Sequence, residues 1–302
     1  MTYPPRAGTV PLAVVATLLW HGAFHAAWGE PAASPPKKSI ASTCNRAAFR
    51  VIVDVGHTAE APGARSARGV TEYEFNLRLA KLVEQSLIDA GFGKTVLLVT
   101  EGPAMKGLVH RVTQANSAPA DLFLSIHHDS VPDAFLEKWE YEGQERGFSD
   151  RFKGHSIFVS NDNDDRKGSL LFAKLLGKQL KARGLQYTPH YTEKFMGHRQ
   201  RVLVDADAGV YRYDQLIVLR ATHMPAVLLE AGSIINRDEE LLMGSPEHQS
   251  LISAAVTDAV EGFCAARRPR NPEQVARKPG AAAKQTLQPA AAKQPANPAK
   301  QR

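Results

Sequence analysis

The chain has 302 residues and a formal net charge of +6, and this length allows one large domain or two small ones. The positive charge does not indicate a nucleic-acid-binding domain, because it is unevenly distributed along the chain. Nine Lys and Arg against Glu273 give residues 265–302 a charge of +8, and Arg6 adds one more, so residues 30–264 carry −3.

The first 29 residues have the pattern of a secretory signal peptide. Arg6 precedes an apolar run from Val10 to Trp20, and the small residues Ala27 and Gly29 follow it. This order of a basic start, a short apolar core and small residues is typical of a cleaved leader, although an uncleaved anchor is the alternative. No later stretch reaches membrane-spanning length. We therefore expect a protein that is periplasmic or secreted, with no stable membrane span after cleavage.

Compositional shifts divide the rest of the chain into three parts. Residues 30–47 have a linker composition of Pro, Ala, Ser and Lys. Residues 48–266 have the pattern of a globular domain. Residues 267–302 are a basic Ala, Pro, Lys and Gln tail that cannot bury a core, so we expect this tail to be disordered.

Two cysteines, Cys44 and Cys264, lie at the two edges of the predicted domain. In an exported protein such a pair is a candidate disulfide that would join the ends of the domain. Two free buried thiols are the alternative, and the sequence does not decide between them.

Within the domain, apolar strands alternate with amphipathic helices. This alternation predicts a single α/β domain with a twisted, mostly parallel sheet and helices on both faces. Residues 185–214 have a polar and irregular pattern. The predicted strands are 49–55, 95–100, 121–127, 156–160, 215–220 and 225–230, and the predicted helices are 73–90, 106–117, 168–183 and 246–264.

Three strand ends carry side chains that can bind a metal or transfer a proton. His57 follows the first strand, His127 ends the third, and Glu230 ends the last, while Glu72 stands at the start of the first helix. Ligands of parallel sheets bind at the carboxyl ends of the strands, where these residues would meet. A zinc hydrolase needs three such ligands and a separate carboxylate. Spacing alone is weak evidence, because an isolated His or Glu is more often a structural hydrogen-bonding residue.

The segments around these residues are more specific. They are Val53-Asp-Val-Gly-His57, Gly69-Val-Thr-Glu-Tyr-Glu-Phe-Asn-Leu77, Asp121-Leu-Phe-Leu-Ser-Ile-His127 and Pro225-Ala-Val-Leu-Leu-Glu-Ala-Gly232. In this order they resemble the signature segments of zinc-dependent N-acetylmuramoyl-L-alanine amidases of the amidase-3 (AmiC-like) family. The resemblance covers about residues 50–262, and it implies the same α/β fold.

By this resemblance, His57, Glu72 and His127 would bind Zn²⁺, and Glu230 would be the catalytic carboxylate of an enzyme that cleaves the amide between N-acetylmuramic acid and L-alanine in peptidoglycan. Val55 and Thr58 depart from the family pattern beside the first ligand. The alternatives are another zinc peptidoglycan hydrolase, such as a carboxypeptidase, and a non-catalytic wall-binding protein on the same fold.

Three further residues flank the candidate ligands. Asp54 and Asp129 are candidates to orient the metal-bound imidazoles through hydrogen bonds. His128 would either contact substrate or turn away into the helix layer, since side chains alternate along a strand.

Residues 131–155 interrupt the alternation and are rich in charge and aromatic side chains. The segment follows the strand that carries His127, so we expect an insertion over the active-site rim. Some division-associated members of the resembled family carry an inserted helix here that blocks the metal until a protein activator withdraws it. Either a glutamate of this segment is such an autoinhibitory plug, or the segment is a substrate-binding lip formed by Phe135, Trp139 and Tyr141. The candidate glutamates are Glu137, Glu140, Glu142 and Glu145.

Overall fold

The computed structural model describes residues 44–267. The predicted signal peptide, residues 30–43 of the predicted linker and the tail from residue 268 lie outside the described residues. The last residues of the predicted linker already contact the domain, since Arg46 pairs with Glu261 at 2.7 Å and donates to the carbonyl of Ala90. Within residues 44–267, no helix is long and apolar enough to cross a membrane.

Nine strands and six α-helices follow one another in the described chain. The strands are β1 (Val51–Val55), β2 (Val96–Leu98), β3 (Leu122–Asp129), β4 (Glu137–Tyr141), β5 (Gln144–Phe148), β6 (Ser156–Val159), β7 (Val202–Asp205), β8 (Val210–Arg212) and β9 (Ala226–Ser233). The helices are α1 (Glu72–Asp89), α2 (Ala104–Ser117), α3 (Arg166–Ala182), α4 (Ile217–Arg220), α5 (Arg237–Gly244) and α6 (Pro246–Ala266). Short 3₁₀ turns occupy Asp133–Phe135, His190–Thr192 and Lys194–Arg199.

The main sheet has seven strands in the order β2-β1-β3-β9-β6-β8-β7. The pairs β1–β2, β1–β3, β3–β9 and β6–β8 are parallel. The pairs β6–β9 and β7–β8 are antiparallel. The expectation of a single α/β domain with a mostly parallel sheet is confirmed, and the carboxyl ends of β1, β3 and β9 lie side by side.

Both faces of the sheet are covered, because side chains alternate between two apolar layers. In β9, Val227 and Leu229 belong to one layer, while Ala226 and Leu228 belong to the other. The first layer is filled by residues of α1, α3 and α6, and the second by residues of α2 and α4. A strand that is buried on both faces is mostly apolar, which explains the valines and the isoleucine of β1; its one polar residue is the buried Asp54.

Helix α1 begins where its sequence predicts. The hydroxyl of Thr71 accepts a hydrogen bond from the backbone N–H of Glu74, which caps the first turn. Phe75, Leu79 and Val83 then recur every four residues and bury one face of the helix. This cap places Glu72 in the first turn, at the rim where the strands end.

The predicted disulfide is confirmed. Cys44 and Cys264 are bonded, with 5.0 Å between their Cα atoms. The bond joins the segment before β1 to the end of α6, and neither cysteine is one of the candidate site residues. It therefore closes the domain without contributing to the site.

Two local predictions are wrong. The predicted strand 215–220 is the short helix α4, whose Val218 and Leu219 are buried in the second apolar layer. A short apolar run has no period that separates a strand from a helix. The supposedly irregular segment 185–214 contains β7 and β8, which are short and lie at the edge of the sheet.

Candidate metal centre and its surroundings

Three of the four candidate residues meet at the rim of the sheet. Nε2 of His57 lies 2.9 Å from Oε2 of Glu72, and Nδ1 of His127 lies 2.9 Å from Oε1 of the same carboxylate. One ligand atom from each residue lies within 4.8 Å of the others, as a single metal ion requires. Two imidazoles and one carboxylate are a donor set that zinc accepts in hydrolases.

Two glycines make room for this cluster. A Cβ atom on Gly56 would lie 2.4 Å from Nε2 of His127, and a Cβ atom on Gly63 would lie 2.5 Å from Oε2 of Glu72. Gly63 also has a φ of +76°, a conformation that favours glycine. His57 itself has a φ of 66°, which is uncommon for a residue with a side chain. The backbone is thus shaped around the space between the three ligands.

The surroundings of the cluster shift the pKa values of two of its residues. Although burial raises the pKa of Glu72, hydrogen bonds from His127 and His57 outweigh it and hold that pKa well below its usual range. Burial lowers the pKa of His127, which favours the neutral imidazole. A metal needs an ionised carboxylate and neutral imidazoles, so the pKa shifts of Glu72 and His127 both favour metal binding.

Glu230 lies beside the cluster on the neighbouring strand. It is paired in register with His127 across β3 and β9, so the two side chains extend toward the same face of the sheet. Its Oε2 is buried and has no hydrogen-bond partner among the described residues. Burial raises the pKa of Glu230, as do the carboxylates of Asp129 and Glu72, while Arg199 opposes them.

His128 turns toward α1. It is buried, its Nδ1 lies 2.8 Å from Oδ1 of Asn76, and its ring centre is 5.4 Å from that of Phe75. The amide of Asn76 also donates to Oε1 of Glu72 and to the carbonyl of Gly56. His128 also borders the cavity described below, so its position supports a packing role and leaves the predicted substrate contact open.

Asp54 is linked to the backbone of His57 through Arg111 and not to an imidazole. Its carboxylate is fully buried, pairs with Nε of Arg111 at 2.6 Å and accepts a hydrogen bond from the hydroxyl of Ser125. Nη2 of Arg111 donates to the carbonyls of Val55 and His57, at 2.8 and 2.7 Å. Arg111 comes from α2, and the sequence analysis did not identify it.

Asp129 is linked to a tyrosine instead of a metal ligand. The hydroxyl of Tyr191 donates to both carboxylate oxygens, at 2.8 and 2.9 Å. Burial raises the pKa of Asp129 to about 7, although the hydrogen bond from Tyr191 opposes the shift. Tyr191 lies in the segment that was expected to be irregular and polar, so this partner of Asp129 was missed too.

A cavity of about 690 Å³ opens beside the cluster. This volume is in the range of small-molecule sites in proteins. His57, Glu72, His127 and Glu230 all line it, and so do Arg199, Arg201 and Tyr213. The sequence analysis missed these three wall residues.

The insertion forms a β-hairpin, not a helix. Strands β4 and β5 pair through a two-residue turn in which Glu142 and Gly143 have φ of 50° and 70°. The indole N–H of Trp139 donates to the carbonyl of Ala67, in the loop that leads to Glu72. Tyr141 stacks on Trp139, with 5.3 Å between ring centres.

The candidate glutamates of this hairpin are exposed, and none of them is among the residues that line the cavity. Glu145 pairs with Lys138 on the adjacent strand. The glutamates thus lie outside the metal cluster in this conformation, and whether the hairpin inhibits the site or binds substrate stays a prediction.

Comparisons with known proteins agree with this geometry. The family model described as N-acetylmuramoyl-L-alanine amidase matches residues 51–262. AmiA of Escherichia coli is 24% identical over 228 residues, which cover 70% of this chain and 75% of AmiA. An endolysin of Bacillus phage SPP1 is 28% identical over 193 residues, which cover 64% of this chain and 58% of the endolysin.

A solved structure shows the same fold. The N-acetylmuramyl-L-alanine amidase Ami1 of Mycobacterium smegmatis superposes with a TM-score of 0.56 at 20% identity, over 74% of this chain and all of Ami1. The family match spans all seven strands of the main sheet and the four residues identified above. The chain therefore belongs to the amidase-3 family of N-acetylmuramoyl-L-alanine amidases.

Proposed function

We propose that the protein is a zinc-dependent N-acetylmuramoyl-L-alanine amidase. It would hydrolyse the amide that joins the lactyl group of N-acetylmuramic acid to the first L-alanine of the peptidoglycan stem. The observation that carries the proposal is the cluster of His57, Glu72 and His127, with Glu230 in register beside it. Family membership supplies the substrate, and the geometry supplies the residues for the reaction.

The three ligands fit a zinc ion by their chemistry and by the space around them. They would hold the ion between β1, β3 and the first turn of α1, where glycines 56 and 63 leave room for the imidazoles and the carboxylate. Bound zinc lowers the pKa of a coordinated water and polarises a carbonyl oxygen. Two hydrogen bonds help to position these ligands. Arg111 donates to the backbone carbonyl of His57, and Asn76 donates to the carboxylate of Glu72.

Glu230 would accept a proton from the attacking water and return it to the leaving nitrogen. Among residues 44–267, no hydrogen-bond partner of its buried Oε2 would compete for this proton. Burial and neighbouring carboxylates raise its pKa, and a carboxylate with a raised pKa is a stronger base toward the proton of the water. These features support a general base and acid at this position.

We also propose that the enzyme acts outside the cytoplasm on the cell wall. A disulfide at the domain edge supports export, because such bonds persist in oxidising compartments. The predicted signal peptide agrees with export, although it lies outside the described residues. A protein activator stays a prediction from the resemblance, and the hairpin is the element on which it would act.

A digest of purified peptidoglycan tests the reaction. We expect intact stem peptides with a free N-terminal alanine, detected by mass spectrometry and end-group labelling. Loss of a terminal D-alanine would instead indicate a carboxypeptidase. Binding to peptidoglycan without any product would indicate a non-catalytic wall-binding protein.

A further inference from the structure

Three arginines border the cavity, and two of them have partners within the protein. Arg111 pairs with Asp54 and donates to two backbone carbonyls. Arg201 donates from Nη1 to the carbonyls of His198 and Gln200, and its guanidinium lies 3.6 Å from the centre of the Tyr213 ring. The protein thus holds both guanidiniums in place, although Nε of Arg201 has no hydrogen-bond partner among the described residues.

Arg199 differs from both. Within residues 44–267, its side chain makes no hydrogen bond and no ion pair within 4.0 Å, although it is only half exposed and borders the cavity. Its charge acts on the carboxylates of Asp129 and Glu230 without contacting either of them. Among the arginines that line the cavity in residues 44–267, Arg199 is therefore the one whose guanidinium makes no hydrogen bond or ion pair.

The backbone around Arg199 is fixed. Arg199 ends a 3₁₀ turn, and the N–H of the next residue, Gln200, donates to the carbonyl of Gly197 at 3.0 Å. The amide of Gln200 donates to the carbonyl of Thr192 at 2.7 Å, and the N–H of Arg201 donates to the carbonyl of Tyr191 at 2.7 Å. Binding of a ligand would therefore order the side chain of Arg199 but would not have to order its backbone.

We propose that Arg199 is a specificity-determining residue that binds a carboxylate of the stem peptide. The favoured substrate would carry a free carboxylate on the residue that follows the first alanine, and the disfavoured one would carry a carboxamide there. This inference rests on the proposed amidase function and names the substrate class of that site.

A carboxylate is the expected partner because a guanidinium presents parallel N–H donors that match two carboxylate oxygens. A carboxamide offers one oxygen and no charge, so it would leave part of the fork unpaired. The size of the cavity also suits this reading. A group one residue beyond the scissile amide lies roughly 7 Å away in an extended chain, and a cavity of about 690 Å³ can hold both the amide and this group.

The test uses two soluble muramoyl-peptides that differ only in this carboxylate or carboxamide. For the wild-type protein we expect a kcat/KM about 10- to 100-fold higher for the carboxylate peptide, mainly through a lower KM. Arg199→Gln should remove the preference by reducing activity on the carboxylate peptide alone. Arg199→Lys should keep part of it, since the charge remains.

Arg212→Gln is the matched control, because Arg212 pairs with Asp214 and does not line the cavity. This variant should keep the wild-type preference. Equal activity of the wild type on both peptides, or a preference that survives in Arg199→Gln, would overturn the inference. An equal loss on both peptides would also overturn it and would assign Arg199 to the positioning of Glu230.

Titration of both peptides into the Glu230→Gln protein gives the same comparison without turnover. Tighter binding of the carboxylate peptide that disappears on the added Arg199→Gln change would support the inference even if the scissile bond proved to be another one. If the wild-type protein released no stem peptide with a free N-terminal alanine, the proposed function itself would be contradicted. The two failures are therefore distinguishable.

Discussion

The buried pair of Asp54 and Arg111 offers a quantitative test of how the fold positions the first ligand. Arg111→Met removes the guanidinium and keeps an apolar chain of similar length. It leaves the carboxylate of Asp54 fully buried without its ion pair. It also removes both hydrogen bonds from Nη2, so the carbonyl of His57 loses its donor while this residue keeps its uncommon φ of 66°.

The expected cost follows from these contacts. Breaking a buried ion pair by removing one partner costs about 3–5 kcal/mol of unfolding free energy. Asp54→Asn should partly restore stability in the Arg111→Met background, because an amide carries no charge and still accepts from the hydroxyl of Ser125. A coupling energy of about 1–3 kcal/mol between the two changes is expected. Loss of such a supporting contact should also weaken zinc binding about 10- to 100-fold.

Urea unfolding of the four proteins of this double-mutant cycle gives the coupling energy, and competition with a chromophoric chelator gives the zinc affinity. Arg183→Met is the control, because Arg183 and Asp258 form a more exposed pair of the same chemistry. It should cost about 1 kcal/mol or less and leave zinc affinity unchanged. Additive effects of the two site changes, or a zinc affinity that Arg111→Met does not alter, would refute the reasoning.

Three further predictions concern stability and the hairpin. Replacing Cys44 and Cys264 together by alanine should lower the unfolding free energy by about 3–5 kcal/mol, because the bond joins residues 220 apart. A loss below about 1 kcal/mol in urea unfolding, with activity retained at 25 °C, would contradict this. Burial lowers the pKa of His155 to about 4, so the folded state favours the neutral ring, and this stabilisation is complete above pH 6.5 and is lost as the pH falls toward 4. The wild type should therefore lose about 3 kcal/mol more than His155→Leu between pH 8 and pH 4, and identical pH profiles would contradict this. The four hairpin glutamates lie outside the cavity, so changing all of them to Gln should leave hydrolysis of soluble muramoyl-peptides unchanged; they are Glu137, Glu140, Glu142 and Glu145. A rise in basal activity would favour the autoinhibitory plug.

The site residues that could be identified from the sequence are those at the ends of regular elements. His57, His127 and Glu230 lie within three residues of the carboxyl ends of apolar strands, and Glu72 follows a helix cap. Local patterns therefore place all four at one rim. Their meeting depends only on strand order, which the resemblance to a known family supplies. This is why the cluster was predictable although its ligands are far apart along the chain.

The supporting residues were not predictable for the opposite reason. Arg111 lies in the middle of an ordinary amphipathic helix, and Arg199 lies in a short 3₁₀ turn. Neither has a local pattern that distinguishes it from a surface arginine. Their roles arise from long-range packing of α2 and of the 190–201 segment against the sheet, which a single sequence does not reveal.

The sequence of the hairpin contains a strand pattern, but its many charged residues obscure it. Residues 138–141 alternate polar and aromatic side chains, and Glu142-Gly143 is followed by a second short run. Such alternation around a two-residue turn with a glycine is typical of a β-hairpin. The high density of glutamates instead favoured the prediction of a helix like the one in some division-associated members of the family.

The measurement that tests the central claim most directly is parallel determination of zinc content and turnover in single variants of the four rim residues. His57→Ala, Glu72→Ala and His127→Ala should each lose both zinc and the release of stem peptides, because each removes one of three ligands. Glu230→Gln should retain one zinc per chain and lose turnover by roughly 100-fold or more, because an amide cannot accept the proton. Near-normal turnover of the Glu230→Gln protein, or full zinc content and activity in any of the three alanine variants, would contradict the account.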